Sequence, residues 1–349
     1  NQVLTSSAAA GDLPDVIGAL PLGQVRTLSA NELVDTAAVG DVLDTLDAGT
    51  FSESSLELTA DGDDQLAIPS ESWVQLLVYR KDLFEKAGLE VPTTLDEFVQ
   101  AAIELRKDNP KPANFSGFWF PGQDWRNGAA FVWAAGGDLA TEDGGEWSPA
   151  LSSDESLAGL EMAQELFMQA SGAPKDGNEA DPWTPFCAGE VGMMSTPGWV
   201  KGLIEAEDTG CPDTFAKQMG VFALPGTDGE PAPVLLGGSD LAVAAKSQHQ
   251  DLAREAIALM LSDDYQTIMA GAGLTPAKES LASLLGDDEY AAATVAAASN
   301  AKLTPAAPGW ANVEGSRVLE DLFSAIAQGG DVAELAGKAD EQMSGQLNG

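Results

Sequence analysis

Histidine is almost missing from this chain: His249 stands alone, and Cys187 and Cys211 are the only thiols. One imidazole cannot build a two-histidine helical zinc motif, and two distant cysteines cannot make a structural zinc site. His249 lies in the polar stretch Lys246–Asp251 just before a helical pattern. It reads as a solvent-facing loop residue rather than the base of a Ser–His pair. Basic residues are scarce too. Lys+Arg number 17 against 55 Asp+Glu, a net charge of −38 at neutral pH. Nucleic-acid binding depends on Lys and Arg neutralising phosphates, so this balance argues against it. It equally disfavours docking on anionic lipid, which needs a basic patch. Long apolar runs are also wanting. Nothing approaches the roughly 18–20 residues of a membrane span, and the longest compact run, Trp73–Tyr79, suits one buried strand.

Catalytic templates fare no better. There is no GxxxxGK[ST] phosphate loop. Gly237-Gly238-Ser239-Asp240-Leu241 resembles a nucleophile elbow but lacks the glycine two positions after the serine. Asp61-Gly62-Asp63-Asp64-Gln65 has calcium-loop-like acidic spacing without the required glycine and terminal glutamate, and reads as a solvated turn. No carboxylate pair is singled out for glycoside hydrolysis. The chain is therefore read as non-catalytic, without cofactor or metal; a secreted glycosidase or esterase using Ser239 or a carboxylate is the minor alternative.

What is present is globular material: 349 residues, 44% hydrophobic and 21% charged, enough for about two domains. Strands are expected at 15–18, 73–79, 191–194 and 241–245. Helices are expected at 80–88 with Gly88 as stop, after a Thr94/Glu97 capping box, and at 157–170. Further helices are expected at 251–261, at 263–270 capped by Ser262, at 313–328 and at 331–347. Strands alternating with helices give an α/β class. No Pro/Gly-rich linker separates an early from a late half, so two interleaved lobes are expected. Cys187 and Cys211 read either as a disulfide, with a stabilisation of roughly 3 kcal/mol in the chain-entropy model, or as two buried thiols.

Tryptophan is the most informative residue. Trp73, Trp125, Trp183, Trp199 and Trp310 sit in turn-like contexts, as in Gly122-Gln123-Asp124-Trp125, Pro197-Gly198-Trp199 and Pro308-Gly309-Trp310. A tryptophan on a loop or at a helix start is placed to expose a face. Flat aromatic faces stack on the C–H faces of sugar rings while carboxylates and amides take the hydroxyl hydrogen bonds. Trp119, Trp133 and Trp147 read as structural.

Several motifs, in order along the chain, resemble the extracellular solute-binding proteins of carbohydrate ABC importers, the family that includes maltose-binding protein. Gly11-Asp12-Leu13-Pro14-Asp15-Val16 is similar to the family's first G-D-x-P-D turn. Ile68-Pro69 followed by Leu77-Val78-Tyr79-Arg80-Lys81-Asp82-Leu83-Phe84 resembles its I-P…L-Y-Y-N-K-D-L-F segment. Ala87-Gly88-Leu89 through Thr94-Leu95-Asp96-Glu97, Phe186–Met193 into Gly198-Trp199, and Gly237-Gly238-Ser239-Asp240-Leu241-Ala242-Val243 continue the likeness. Arg80 replaces the usual Asn and Leu95 the frequent Trp. Only ten residues precede Gly11, so a first lobe without the family's initial strand, helix and strand, or a trimmed start, is expected.

The resemblance implies a two-lobed, type II periplasmic-binding-protein-like fold with a ligand cleft between the lobes. One lobe would comprise 1–72 plus 240–282 and the other 73–239 plus 283–349, with crossings near 71–75, 236–241 and 281–286. It implies a receptor that captures a short oligosaccharide, an α-glucoside by preference, through hinge closure and delivers it to ABC permease subunits. Carried over by motif, Trp199, Trp125 and Trp310 are stacking aromatics, and Glu71 and Trp73 lie at the first crossing. Gly238, Ser239 and Asp240 lie at the second crossing, and Asp124 is a hydroxyl acceptor beside Trp125. The resemblance further implies a monomer outside the cytoplasmic membrane, in the periplasm or as a lipoprotein tethered through an upstream cysteine. A polyamine, peptide or metal ion in the same fold is the alternative ligand.

Overall fold

The computed structural model describes residues 7, 10–21, 25–30, 32–46, 48–51, 53–61, 64–178, 181–208, 210–213 and 215–348. The calcium-like turn at 61–65 falls partly outside them. The chain divides into two compact units, Asn1–Trp73 with Gly237–Gly286 and Val74–Leu236 with Asp287–Gly349. Seven strands matter below: β1 Val16–Pro21, β2 Ile68–Arg80, β3 Ser116–Trp119, β4 Val191–Pro197, β5 Met219–Phe222, β6 Leu236–Val243 and β7 Thr275–Pro276. Among the described residues no helix is long and apolar enough to cross a membrane.

In the first unit β1 runs antiparallel to β6, pairing Val16 with Val243 and Ile17 with Ala242. The register shifts before Leu20 meets Asp240, and Ala19, with φ of 52°, sits at that shift. A bulge of this kind re-aims the strand. The second half of β6 is buried on both faces, which is why Leu241-Ala242-Val243 reads as a continuous apolar run. Leu241 and Val243 pack with Val39 and Val42 of helix Thr36–Leu46 and with Ile257 of helix Gln250–Met260. Ala242 and Ala244 face Ile17, Leu20 and Leu66. The early part of β2 pairs with β7 through Ser72–Thr275 and Glu71–Pro276.

The second unit takes the rest of β2, pairing antiparallel with β4 through Gln75–Pro197 to Tyr79–Met193 and with β5 through Leu77–Phe222 to Arg80–Met219. β4 then pairs parallel with β3. On one side lie Val78, Met194, Phe186, Val200 and Ile204, with Trp183, Trp199 and the cysteines packed against them. Cys187 and Cys211 are joined as a disulfide. Rings cluster elsewhere in the unit: Phe98 meets Phe118 edge-on at 5.1 Å, and Phe120 stacks on Phe167 at 4.0 Å. Helix Leu95–Asp108 lies so close to β3 that a Cβ on Gly117 would fall 1.7 Å from the Ala102 carbonyl oxygen. Only glycine permits that approach.

The element readings hold in type, with informative differences in extent. The strand at 73–79 begins earlier, at Ile68, and the strand at 241–245 is instead Leu236–Val243. The helix at 157–170 is α-helical over Asp154–Glu165 and closes with a π turn, Leu166–Ala170. The single helix expected at 313–328 is two, Trp310–Ser316 and Val318–Ala327, because Arg317 adopts φ of 62° and ends the first. A non-glycine residue in this left-handed region is uncommon, and nothing in the apolar pattern announces it. At the capping box Thr94 Oγ1 accepts from the Glu97 amide, but the Glu97 carboxylate reaches back to the Thr93 amide and hydroxyl instead of to Thr94.

Candidate functional site

The first unit gathers five of the sequence-predicted residues on two strands. Glu71 and Trp73 come from β2, and Gly238, Ser239 and Asp240 come from β6. Trp73, expected in a turn, lies within the strand and is half-buried. Its ring covers Gly237, where a Cβ would fall 2.1 Å from Trp73 Cζ2, so glycine is required there. Gly238 and Ser239 are half-buried.

Asp240 is fully buried, and neither of its carboxylate oxygens has a hydrogen-bond partner. Burial, and secondarily the negative charge of Glu71, push its carboxyl up to about 7. Taking a charge out of water disfavours its ionised form, and a neighbouring like charge adds to the effect. At neutral pH this group therefore exists in both protonation states. As a direct, open contact it differs from the sequence expectation, since its side chain has no exposed surface.

The second unit carries the aromatics. Trp125 and Trp310 form an edge-to-face pair at 6.3 Å. Neither is on a loop: each is the first residue of a helix, Trp125–Ala134 and Trp310–Ser316. Trp125 is 1% exposed and Trp310 7%, so the expected free faces are covered. The physical reason lies in packing remote in sequence. Helix Trp125–Ala134 sits against helix Val318–Ala327 closely enough that a Cβ on Gly128 would strike the Phe323 ring at 2.0 Å. Asp124, expected as a hydroxyl acceptor, is the N-cap of that helix. Its carboxylate accepts from the Asn127 amide at 3.1 Å and from Asn127 Nδ2 at 2.6 Å. This is the ordinary use of an aspartate before a helix, and it satisfies orphan amide groups of the first turn.

Trp199 precedes helix Val200–Glu205, stays half-buried and meets Trp183 edge-on at 6.3 Å. Of the three stacking candidates it keeps the most accessible ring. Trp133 is buried, donating Nε1–H to Asp138 at 3.0 Å, which fits a structural part.

Three polar residues in the same unit escape the sequence reading. The Arg126 guanidinium lies 4.7 Å from the Trp125 ring centroid, a cation–π contact. Arg317 donates to Gln123 Oε1 at 2.9 Å, tying the left-handed corner to the Pro121–Asp124 turn. Gln75 is buried with Oε1 unpartnered, and it lines a cavity of about 10 Å³ with Arg126, Asn127, Ser195 and Phe118. That is room for one water molecule. Gln75 is hidden in the sequence by the apolar run around it, and Arg126 by the loop context assigned to Trp125. Among the described residues no group of three or more His, Cys, Asp or Glu side chains could hold a metal ion.

Comparison with known proteins matches this architecture. Residues 1–267 match the bacterial extracellular solute-binding protein family. The diacetylchitobiose binding protein DasA of Streptomyces coelicolor is 33% identical over 356 residues, spanning 99% of this chain and 79% of that protein. Among solved structures, maltose-bound MalE3 of T. maritima superposes with a TM-score of 0.82 at 22% identity, covering 98% of this chain and 87% of that one. A Thermotoga lettingae ABC transporter solute-binding protein bound with alpha-D-tagatose gives 0.85 at 22% identity, covering 100% and 88%. These likenesses carry the mixed α/β, periplasmic-binding-protein-like fold. Together with the sequence matches they identify the chain as a member of the bacterial extracellular solute-binding protein family, whose members work outside the cytoplasmic membrane.

Proposed function

We propose that this protein is a non-catalytic receptor that captures a short oligosaccharide between its two lobes and hands it to the permease subunits of an ABC importer. The observation that carries the reading is the relative binding diacetylchitobiose, 33% identical across 99% of this chain. The site chemistry supports it. Trp73 and Trp199 keep partly accessible rings, suited to sugar C–H faces, and half-buried Ser239 offers a hydroxyl for hydrogen bonding. Trp125 and Trp310 then act as the support behind the binding surface, held by Arg126 and the Phe323 contact, more than as open platforms.

Capture works through a population shift. Sugar contacts made by both lobes favour the closed arrangement by as much as they differ between open and closed states. The receptor acts as a monomer, with Trp199 as the principal stacking residue and Ser239, Gly238 and Glu71 as hydrogen-bonding contacts. Diacetylchitobiose is the first ligand to test, with maltose, maltotriose, cellobiose and trehalose beside it. In a thermal-shift panel one of these should raise the melting temperature; at 100 times its Kd a ligand stabilises the native state by about 2.7 kcal/mol. Silence across the sugars together with a shift from a polyamine or peptide would overturn the carbohydrate reading.

A further inference from the structure

Among the described arginines of this acidic chain, Arg106 stands apart from those that hold a polar side chain. Arg80 pairs with Asp82, Arg254 with Asp41 and Asp251, and Arg317 bonds Gln123. Arg106, in the last turn of helix Leu95–Asp108, makes no salt bridge among the described residues, and its Nη1 is buried without a hydrogen-bond partner. Burial lowers the guanidinium below its ordinary range, the mark of a cation not compensated locally. With 55 Asp+Glu in the chain, carboxylates are abundant, yet no described one pairs with it. The helix C-terminus accounts for basic residues at this position, because its carbonyl ends carry partial negative charge. It does not account for a buried nitrogen whose hydrogens go nowhere, which costs free energy unless something accepts them.

Arg106 opens onto a cavity of about 380 Å³ within the second unit. Its wall carries no acidic residue. Lys107 adds a second positive charge, and Ile103, Pro110, Pro112 and Phe115 provide an apolar side. Asn109 at the rim is fixed by its own bonds, donating to the Leu105 carbonyl at 2.8 Å and accepting from Lys86 Nζ at 3.3 Å. Lys86 thus brings a third cation to the same end of the helix. Glu165 holds the Gln169 amide at 3.1 Å, and Asp108 is exposed on the helix end. Neither lines the cavity.

We propose that this cavity is a binding site for a small carboxylate with a compact apolar body. The guanidinium fork matches a carboxylate with two parallel hydrogen bonds. The volume falls within the range of small-molecule sites and exceeds what a bare oxyanion fills, while Phe115, Ile103 and the prolines take an apolar body. The site shares no lining residue with Trp125, Trp199 or Trp310, so it stands independently of sugar capture.

The test uses the whole chain, with benzoate as probe, at constant ionic strength. The side-chain Nε–H resonances of the arginines are followed by nitrogen-15 NMR during titration. The site predicts a saturable shift of the Arg106 resonance with millimolar benzoate. Benzyl alcohol, which has the same body without charge, and inorganic phosphate, which has charge without the body, should each bind at least about tenfold more weakly. R106Q should abolish the response, and K217Q, at an exposed lysine elsewhere, should leave it unchanged. The wild-type resonance carries the test even if R106Q folds poorly. No saturable shift with benzoate, or equal responses to benzoate and phosphate, would overturn the proposal.

Discussion

The two units of this protein are built from different material. Every tryptophan except Trp73 and every phenylalanine except Phe51 belongs to the second. The first is held by aliphatic contacts, with Val39, Val42, Leu241, Val243 and Ile257 at its centre, and it buries an acid, Asp240, that no described residue hydrogen-bonds. The second packs ring on ring and adds a disulfide. Aromatic side chains bury large areas and prefer defined edge or offset geometries, so the second unit can hold its rings in fixed directions. A buried carboxyl without a partner costs stability and is tolerated where it serves something outside the local fold. One unit is thus rich in flat apolar rings, and the other is mainly aliphatic around a buried acid.

The largest effect expected from disturbing this division is in the ring cluster. Phe131 is 1% exposed and lies 5.7 Å from Phe120 and 6.4 Å from Phe118, centroid to centroid. Phe131→Ala should cost about 3–5 kcal/mol, transfer and cavity terms together, measured by chemical denaturation. A cost near that of a surface change would mean that the second unit does not depend on its rings.

Next comes the acid of the first unit, where the effect depends on pH. The folded pKa of Asp240 is raised to about 7 from 3.8, so between these values the native state holds a proton that the unfolded chain has lost. Stability from this group is therefore lost as pH rises from about 4 to about 7, and the cost of burying the charge is complete above that. D240N removes the titration. It should match the wild type below pH about 4 and exceed it above pH 7 by up to about 4 kcal/mol, at 1.36 kcal/mol per pKa unit. Parallel pH profiles of the two proteins would mean that Asp240 titrates normally.

A smaller effect is expected at Gly237. Gly237→Ala forces a methyl against the Trp73 ring and should cost roughly 1–3 kcal/mol by overpacking. Trp73 is the single tryptophan of the first unit, so a shifted fluorescence spectrum would report its displacement. An unchanged spectrum and stability would show that the ring is free to move away.

How far the sequence carries is clear from these residues. Local rules find two caps: Thr94 and Ser262 each accept from the amide three residues on, as their positions before apolar periodic runs require. The family motifs lead to the strands that carry Glu71, Trp73 and Asp240. What local patterning cannot see is which turn-like tryptophan will be covered. Trp125 and Trp310 look alike in sequence to Trp199, yet the first two are buried in packing set by Gly128 and Phe323, almost two hundred residues apart. Asp124 follows the same lesson, since its helix becomes visible only once Trp125 is taken as a helix residue. The break at Arg317 is a backbone choice that no side-chain pattern encodes, and Gln75 is polar in an apolar strand without a local reason.

The proposed function is sugar capture with Trp199 as the principal stacking residue. Its most direct test is calorimetric titration of the wild type, W199A and S239A with diacetylchitobiose. A saturable signal for the wild type that weakens at least about tenfold in each variant, with both variants folded, is the predicted result. Binding that is untouched by both substitutions would contradict it.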